Sequence, residues 1–105
     1  MFTIANLGDA VLTIPSGVAS GTGTLLTGGY VFVNNTSGGP ITLTLAAALS
    51  PFTLIKDIAG NAGTRTITVT YPGGIDQVTS VQLTYAYAWV WLAWNGTNYS
   101  IIGNG

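Results

Sequence analysis

Two stretches of the chain, ITLTLA (Ile41 to Ala46) and RTITVTY (Arg65 to Tyr71), alternate apolar residues with threonine almost without a break. Successive side chains of an extended strand point to opposite faces, so this pattern sorts Ile41, Leu43 and Leu45 onto one face, and Ile67, Val69 and Tyr71 likewise, with threonines opposite. Such segments are strands half buried on a core. YVFVN (Tyr30 to Asn34) and PFTLIKD (Pro51 to Asp57) are apolar on both faces over part of their length, which suits strands covered on both sides. Between these runs lie NLGD, PSGVASGTG, TGG, NNTSGGP, DIAGNAG, YPGG and WNGTN, each with glycine where a tight or left-handed turn is needed. The only helix-compatible piece is AAALS (Ala46 to Ser50), which Pro51 stops within one turn. The expectation is an all-β fold, a small antiparallel β-sandwich or jelly-roll-like domain spanning residues 1–105. Asn95-Gly96, flanked by apolar runs, predicts a two-residue hairpin turn joining Tyr85 to Trp94 with Thr97 to Ile102. The glycine-rich stretch from Ser16 to Gly29 is long for a connection, so it is either a functional loop or contains a short strand at TLLT.

A chain of 105 residues with 48 % apolar content can bury a core without metals or cross-links. It has no cysteine, which excludes disulfides, thiolate metal sites and cysteine nucleophiles. Charged residues make up 5 %, namely Asp9, Lys56, Asp57, Arg65 and Asp76, against about 25 % in an ordinary soluble domain. A net charge of −1 gives no electrostatic reason to expect nucleic acid or an anionic membrane as partner. So little charge protects a free monomer poorly against association, and much of the surface is expected to meet other protein subunits. The longest apolar run, Ala86 to Trp94, is about half the length a spanning helix needs. MFTIANLGDAVLTI has no basic region and is broken by Gly8 and Asp9, unlike a signal peptide.

All three tryptophans and three of the five tyrosines fall between Tyr85 and Tyr99. Alternation through YAYAWVWLAW sets Tyr85, Tyr87, Trp89 and Trp91 on one face, and Ala86, Ala88, Val90, Leu92 and Trp94 on the other. Both faces are apolar, and a lone sandwich covers only one face of each sheet. Three uses of the Tyr/Trp face stay open: a large internal core, an oligomer interface, or a platform for stacking sugars. Aromatic residues suit an interface centre because they combine large contact area with a polar tip.

The residues offer little for catalysis. Without histidine or cysteine there is no ordinary triad, imidazole base or zinc site, and the three aspartates lie far apart in the chain. Asp57 in KDIAGNAG lacks the repeated acidic positions of a calcium loop and is expected to cap its own turn. Lys56 and Arg65 flank that turn as solvated ends of a hairpin, with Asp57 pairing to one of them. GVASGTG has no lysine and precedes no helix, so it is not a phosphate loop. No enzyme activity, metal or cofactor is expected.

The C-terminal half, FTLIKDIAGNAGTRTITVTYPGGIDQ followed by VQLTYAYAWVWLAWNGTNYSIIG, resembles a module found in virion proteins of tailed bacteriophages, in fibres, spikes and capsid-surface proteins. The residues that match are Ile55-Lys56-Asp57, Gly60-Asn61-Ala62, Thr66-Ile67-Thr68-Val69, Gly74-Ile75-Asp76 and Asn95-Gly96-Thr97-Asn98-Tyr99, within residues 52–103. This chain has Asn95 where the module usually has aspartate and Tyr99 where it usually has tryptophan, and its penultimate strand is more aromatic. The resemblance implies a β module that trimerises in virions.

Residues and resemblance together lead to an assembly protein. The expected function is capsid decoration: a cement protein, made in the cytoplasm of the host bacterium, that sits as homotrimers on the phage head and stabilises the major capsid protein shell. The alternative is a tail fibre or spike tip that binds a host glycan. With Met1 at its start and no heptads, shaft repeat or anchoring segment, the chain fits the first reading better. Tyr85, Tyr87, Trp89 and Trp91 are the expected trimer interface. Met1 to Ile14, with Phe2, Ile4, Val11, Leu12 and Ile14 apolar around a Gly8-Asp9 bend, is either an extended arm adding a strand to the capsid or a neighbour, or the first hairpin of the sandwich.

Overall fold

The computed structural model describes residues 10–13, 21–25, 29–36, 38–45 and 52–105. They form nine strands: β1 (Ala10–Thr13), β2 (Gly21–Leu25), β3 (Gly29–Asn34), β4 (Ile41–Leu45), β5 (Phe52–Asp57), β6 (Ile67–Ile75), β7 (Val78–Leu83), β8 (Trp89–Trp94) and β9 (Tyr99–Asn104). No helix occurs among the described residues, so the chain is all-β as the alternation requires. β2 starts a few residues before the expected TLLT segment and lies within the glycine-rich stretch. The expected AAALS turn falls outside the described residues.

Strand order differs from the antiparallel expectation. β1, β3 and β5 pair in parallel as one ladder, and β2, β4 and β6 pair in parallel as another. The chain therefore passes from one ladder to the other at each connection and adds one strand to each per circuit. Parallel neighbours need a crossover between them, ordinarily a helix. Here a strand of the opposite ladder is the crossover, which explains how a helix-free chain pairs in parallel. Antiparallel pairing is confined to the C-terminal strands, where β7 lies on β6, β8 on β5 and β9 on β8. A parallel bridge at Ile75 and Tyr99 joins the two halves into one curled mixed sheet, β1-β3-β5-β8-β9-β6-β4-β2, with β7 on the flank of β6.

Alternation sets the core. Val31, Val33, Ile55, Val90 and Leu92 point inward from one half, and Ile41, Leu43, Leu45, Ile67, Val69 and Leu83 from the other, in a single buried cluster. Register stacks like on like, Ile41 beside Ile67, Leu43 beside Val69 and Val31 beside Ile55. Tyr71, Trp94 and Tyr99 close one end of this core with edge-on ring contacts at centroid distances of 5.7, 5.1 and 5.1 Å. The Tyr99 hydroxyl is driven to a higher pKa by burial and, secondarily, by Tyr71.

The corners are stapled by polar side chains. Asn35, buried, donates from Nδ2 to the Gly39 carbonyl and accepts the Gly38 N–H, both at 2.8 Å. The next corner sits on it: Asn61 Nδ2 donates to the Asn35 carbonyl at 2.9 Å, and Arg65 Nε to the Gly38 carbonyl at 2.7 Å. Residues 58–66 are thus a corner between the two ladders and not a hairpin, which corrects the expected role of Lys56 and Arg65. The β8–β9 connection is also longer than the expected two-residue turn, spanning residues 95–98, because Asn95 Oδ1 takes the N–H groups of Thr97 and Asn98 at 3.0 Å each.

Candidate functional site

The two outward faces of this sheet differ in kind. On β4 and β6 the outward residues are threonines in register, Thr42 beside Thr68 and Thr44 beside Thr70, continued on β7 by Gln82 and Ser80. On β3, β5 and β8 they are aromatic and apolar. Tyr30 lies beside Leu54 and Leu54 beside Trp91, while Phe32 lies beside Lys56 and Lys56 beside Trp89. Phe52 completes the face, with its ring centroid 5.9 Å from that of Trp91, and the Tyr30 and Phe32 rings stack at 4.5 Å. Tyr30, Phe52 and Trp91 remain 39, 49 and 43 % exposed. Leu54, Lys56, Trp89 and Trp91 line an open recess of about 350 Å³. Lys56 is the one charged residue among the residues described on this face.

Trp89 is set by the strand beyond it. A Cβ on Gly103 would stand 3.2 Å from the indole Cζ3 and one on Gly105 would collide with the indole nitrogen, so Gly103 of β9 and Gly105 just beyond it leave the floor on which that ring lies. The backbone of Trp89 also exchanges hydrogen bonds with Gly105 at 2.8 and 3.0 Å, prolonging the β8–β9 ladder past Asn104. Trp89 and Trp91 share one face, as alternation requires, and the structure turns that face outward, with Val90 and Leu92 in the core behind them.

Tyr85 and Tyr87 do not belong to this strand. They lie in the β7–β8 connection, 56 and 57 % exposed, which corrects the expectation of one continuous strand from Tyr85 to Trp94. The cause is Asp57. Its carboxylate is buried at the end of β5, where Oδ1 accepts the Ala59 and Gly60 N–H groups at 3.2 and 3.1 Å, and Oδ2 those of Ala62 and Tyr87 at 2.9 and 3.1 Å. The last of these bonds pins a residue thirty positions away. Tyr87 takes φ 62°, Ala88 N–H closes a turn onto the Tyr85 carbonyl at 3.1 Å, and Lys56 Nζ donates to the Tyr87 carbonyl at 3.0 Å. The Tyr87 ring covers Gly60, whose φ is +79° and where an added Cβ would stand 2.8 Å from the ring. Asp57 thus caps its turn as expected, yet it serves backbone amides in place of the expected pairing with Lys56 or Arg65.

Of the expected arm, Phe2, Ile4 and Ile14 fall outside the described residues. Val11 and Leu12 lie on β1, in parallel register with Phe32 and Val33 of the same chain. The feature that sequence reasoning missed is the contribution of Tyr30, Phe32, Phe52 and Leu54 to one face with Trp89 and Trp91. Their two-sided apolar pattern was visible, but nothing local says which strands become neighbours. A second, smaller cleft of about 230 Å³ runs between β7 and β9, lined by Val81, Leu83, Ala88, Val90 and Ile101 among others. No protein-family model matches the chain, and no curated protein matches it in sequence.

Proposed function

We propose that this chain is a structural protein of a tailed-phage virion, a capsid decoration protein that forms homotrimers on the head and stabilises the major capsid protein shell through protein–protein contacts. The observation that carries this reading is the outward face of β3, β5 and β8, where Tyr30, Phe32, Phe52, Leu54, Trp89 and Trp91 surround a lone lysine. Large exposed apolar patches mark contact surfaces, and aromatic residues with few charges are the composition of interface centres. The threonine-lined face opposite offers the contrasting, water-compatible surface. The function needs no chemistry beyond burial: small interfaces repeated over a closed shell add up through avidity.

The test combines mass measurement of the native protein with thermal release of capsids, with and without added protein. A trimer that raises the temperature of shell disruption is expected, and Phe52→Ser with Trp91→Ser should abolish both while leaving the β signal. A concentration-independent monomer that leaves capsids unaffected would reject the proposal. A fibre or spike tip that binds a host glycan is a second reading. It is supported by the two parallel ladders, which add strands along one direction and end at β7, β8 and β9 in an antiparallel cap. Binding to a glycan array or to host cells, with no effect on capsids, would favour that reading.

A further inference from the structure

The chain contains two Asn-Gly pairs, Asn95-Gly96 and Asn104-Gly105, and the fold puts them in opposite chemical situations. Asn104 ends β9, and the Gly105 N–H is bonded to the Trp89 carbonyl at 3.0 Å. Asn95 opens the exposed β8–β9 connection, where no described residue accepts the Gly96 N–H and a Cβ on Gly96 would meet nothing within 4 Å. We propose that Asn95 is a site of self-catalysed deamidation, the turn supplying the groups that the reaction needs.

The Gly96 nitrogen, after losing its proton to hydroxide in solution, bonds to Asn95 Cγ. Negative charge then develops on Oδ1. That oxygen already accepts the N–H groups of Thr97 and Asn98 at 3.0 Å each, a pair of backbone donors aimed where the oxyanion forms. The leaving nitrogen, Nδ2, donates to Ser100 Oγ at 3.0 Å and to Asn98 Oδ1 at 2.6 Å. Once Cγ is tetrahedral, Nδ2 is an amine with a free lone pair; the Ser100 hydroxyl then turns from acceptor to donor, gives Nδ2 a proton and regains one from water, and ammonia departs as the Cγ–Nδ2 bond breaks. Water opens the resulting five-membered imide at either carbonyl, leaving aspartate or isoaspartate. One water is consumed, one ammonia is released and no electrons are transferred. Aspartate keeps the oxygen that holds the Thr97 and Asn98 amides but replaces the Nδ2 donor by an acceptor, which the exposed Asn98 amide meets by turning its NH2 toward it and Ser100 by donating, and it adds one negative charge to a chain whose net charge is −1. Isoaspartate lengthens the backbone of the connection by one methylene.

The experiment follows deamidation at Asn95 and Asn104 by peptide-level mass spectrometry after incubation of the purified protein at mildly alkaline pH, native and in concentrated urea. In the native protein Asn95 is expected to convert at least about tenfold faster than Asn104, the rate difference that one hydrogen bond's worth of barrier makes. In urea the two rates should converge, since glycine follows both. Ser100→Ala should slow Asn95 several-fold in the native protein and leave its rate in urea unchanged. Equal rates at the two sites in the native protein would overturn the proposal. So would a native Asn95 rate tenfold below its rate in urea, or a Ser100→Ala effect of the same size in both conditions.

Discussion

Asp57→Asn is the most incisive single change the fold offers. The side chain is 1 % exposed, and its two oxygens divide four backbone donors evenly: Ala59 and Gly60 on Oδ1, Ala62 and Tyr87 on Oδ2. Asparagine preserves the shape but turns one of those oxygens into a donor. Whichever way the amide is turned, two N–H groups, both part-buried on one side and one buried and one part-buried on the other, then face an NH2 group and lose their acceptor. At about 1–3 kcal/mol for each orphaned donor, the loss is about 2–6 kcal/mol, a large part of the roughly 5–15 kcal/mol that holds a domain of this size. Urea unfolding followed by tryptophan fluorescence at fixed protein concentration measures it, because the midpoint should fall while the slope stays constant. Asp57→Ala, which removes all four bonds, should cost more than Asp57→Asn. A loss below about 1 kcal/mol for Asp57→Asn would refute the assignment of Asp57 as the clamp between the β5 corner and the β7–β8 connection.

Other expectations follow from single contacts. Gly60→Ala forces an L residue to φ +79° with its Cβ 2.8 Å from the Tyr87 ring, and should cost about 1–3 kcal/mol, part of which Tyr87→Ala restores in a double-mutant cycle. Leu43→Ala empties a fully buried position and should lower stability by about 2–5 kcal/mol in the same unfolding assay. Because the Tyr99 pKa is raised above 10.0 in the folded chain, the unfolded state releases its proton first. Stability from this group is therefore intact below pH 10.0 and declines as the pH rises toward the folded value, a slope that Tyr99→Phe should flatten in alkaline unfolding curves. Trp91→Ser, at a side chain 43 % exposed, should change monomer stability by about 1 kcal/mol or less while weakening self-association, read by sedimentation.

The candidate surface was legible only in pieces. Alternation alone puts Trp89 and Trp91 on one face without saying whether that face is core or surface; the tertiary structure makes it the outward one, because Val90 and Leu92 are drawn into the core between them. Tyr85 and Tyr87 continue the same alternation in sequence yet leave the strand. The local pattern that favours a longer strand is overridden by a carboxylate thirty residues earlier, and no periodicity within Tyr85 to Trp94 encodes that partner. Tyr30, Phe32 and Phe52 join the tryptophans for a similar reason. Their neighbours are set by pairing between strands that lie far apart in the chain.

The amino-acid order by itself determined the β class, the faces of the alternating strands and most of the places where the chain turns; the expected YPGG turn is an exception, lying within β6 as an irregularity in its pairing with β7. A period of two is a property of the extended backbone, and glycine, asparagine and aspartate carry their turn preferences wherever they stand. Only the tertiary structure decided which strands become neighbours and in which direction, because a face that is apolar can be buried equally well by a parallel or an antiparallel partner. Stacking of the Asn35 and Asp57 corners and the continuous core between the two halves resolve that choice, as each circuit buries the edge left by the one before. The same pairing gathers aromatic residues from three strands onto one outward face.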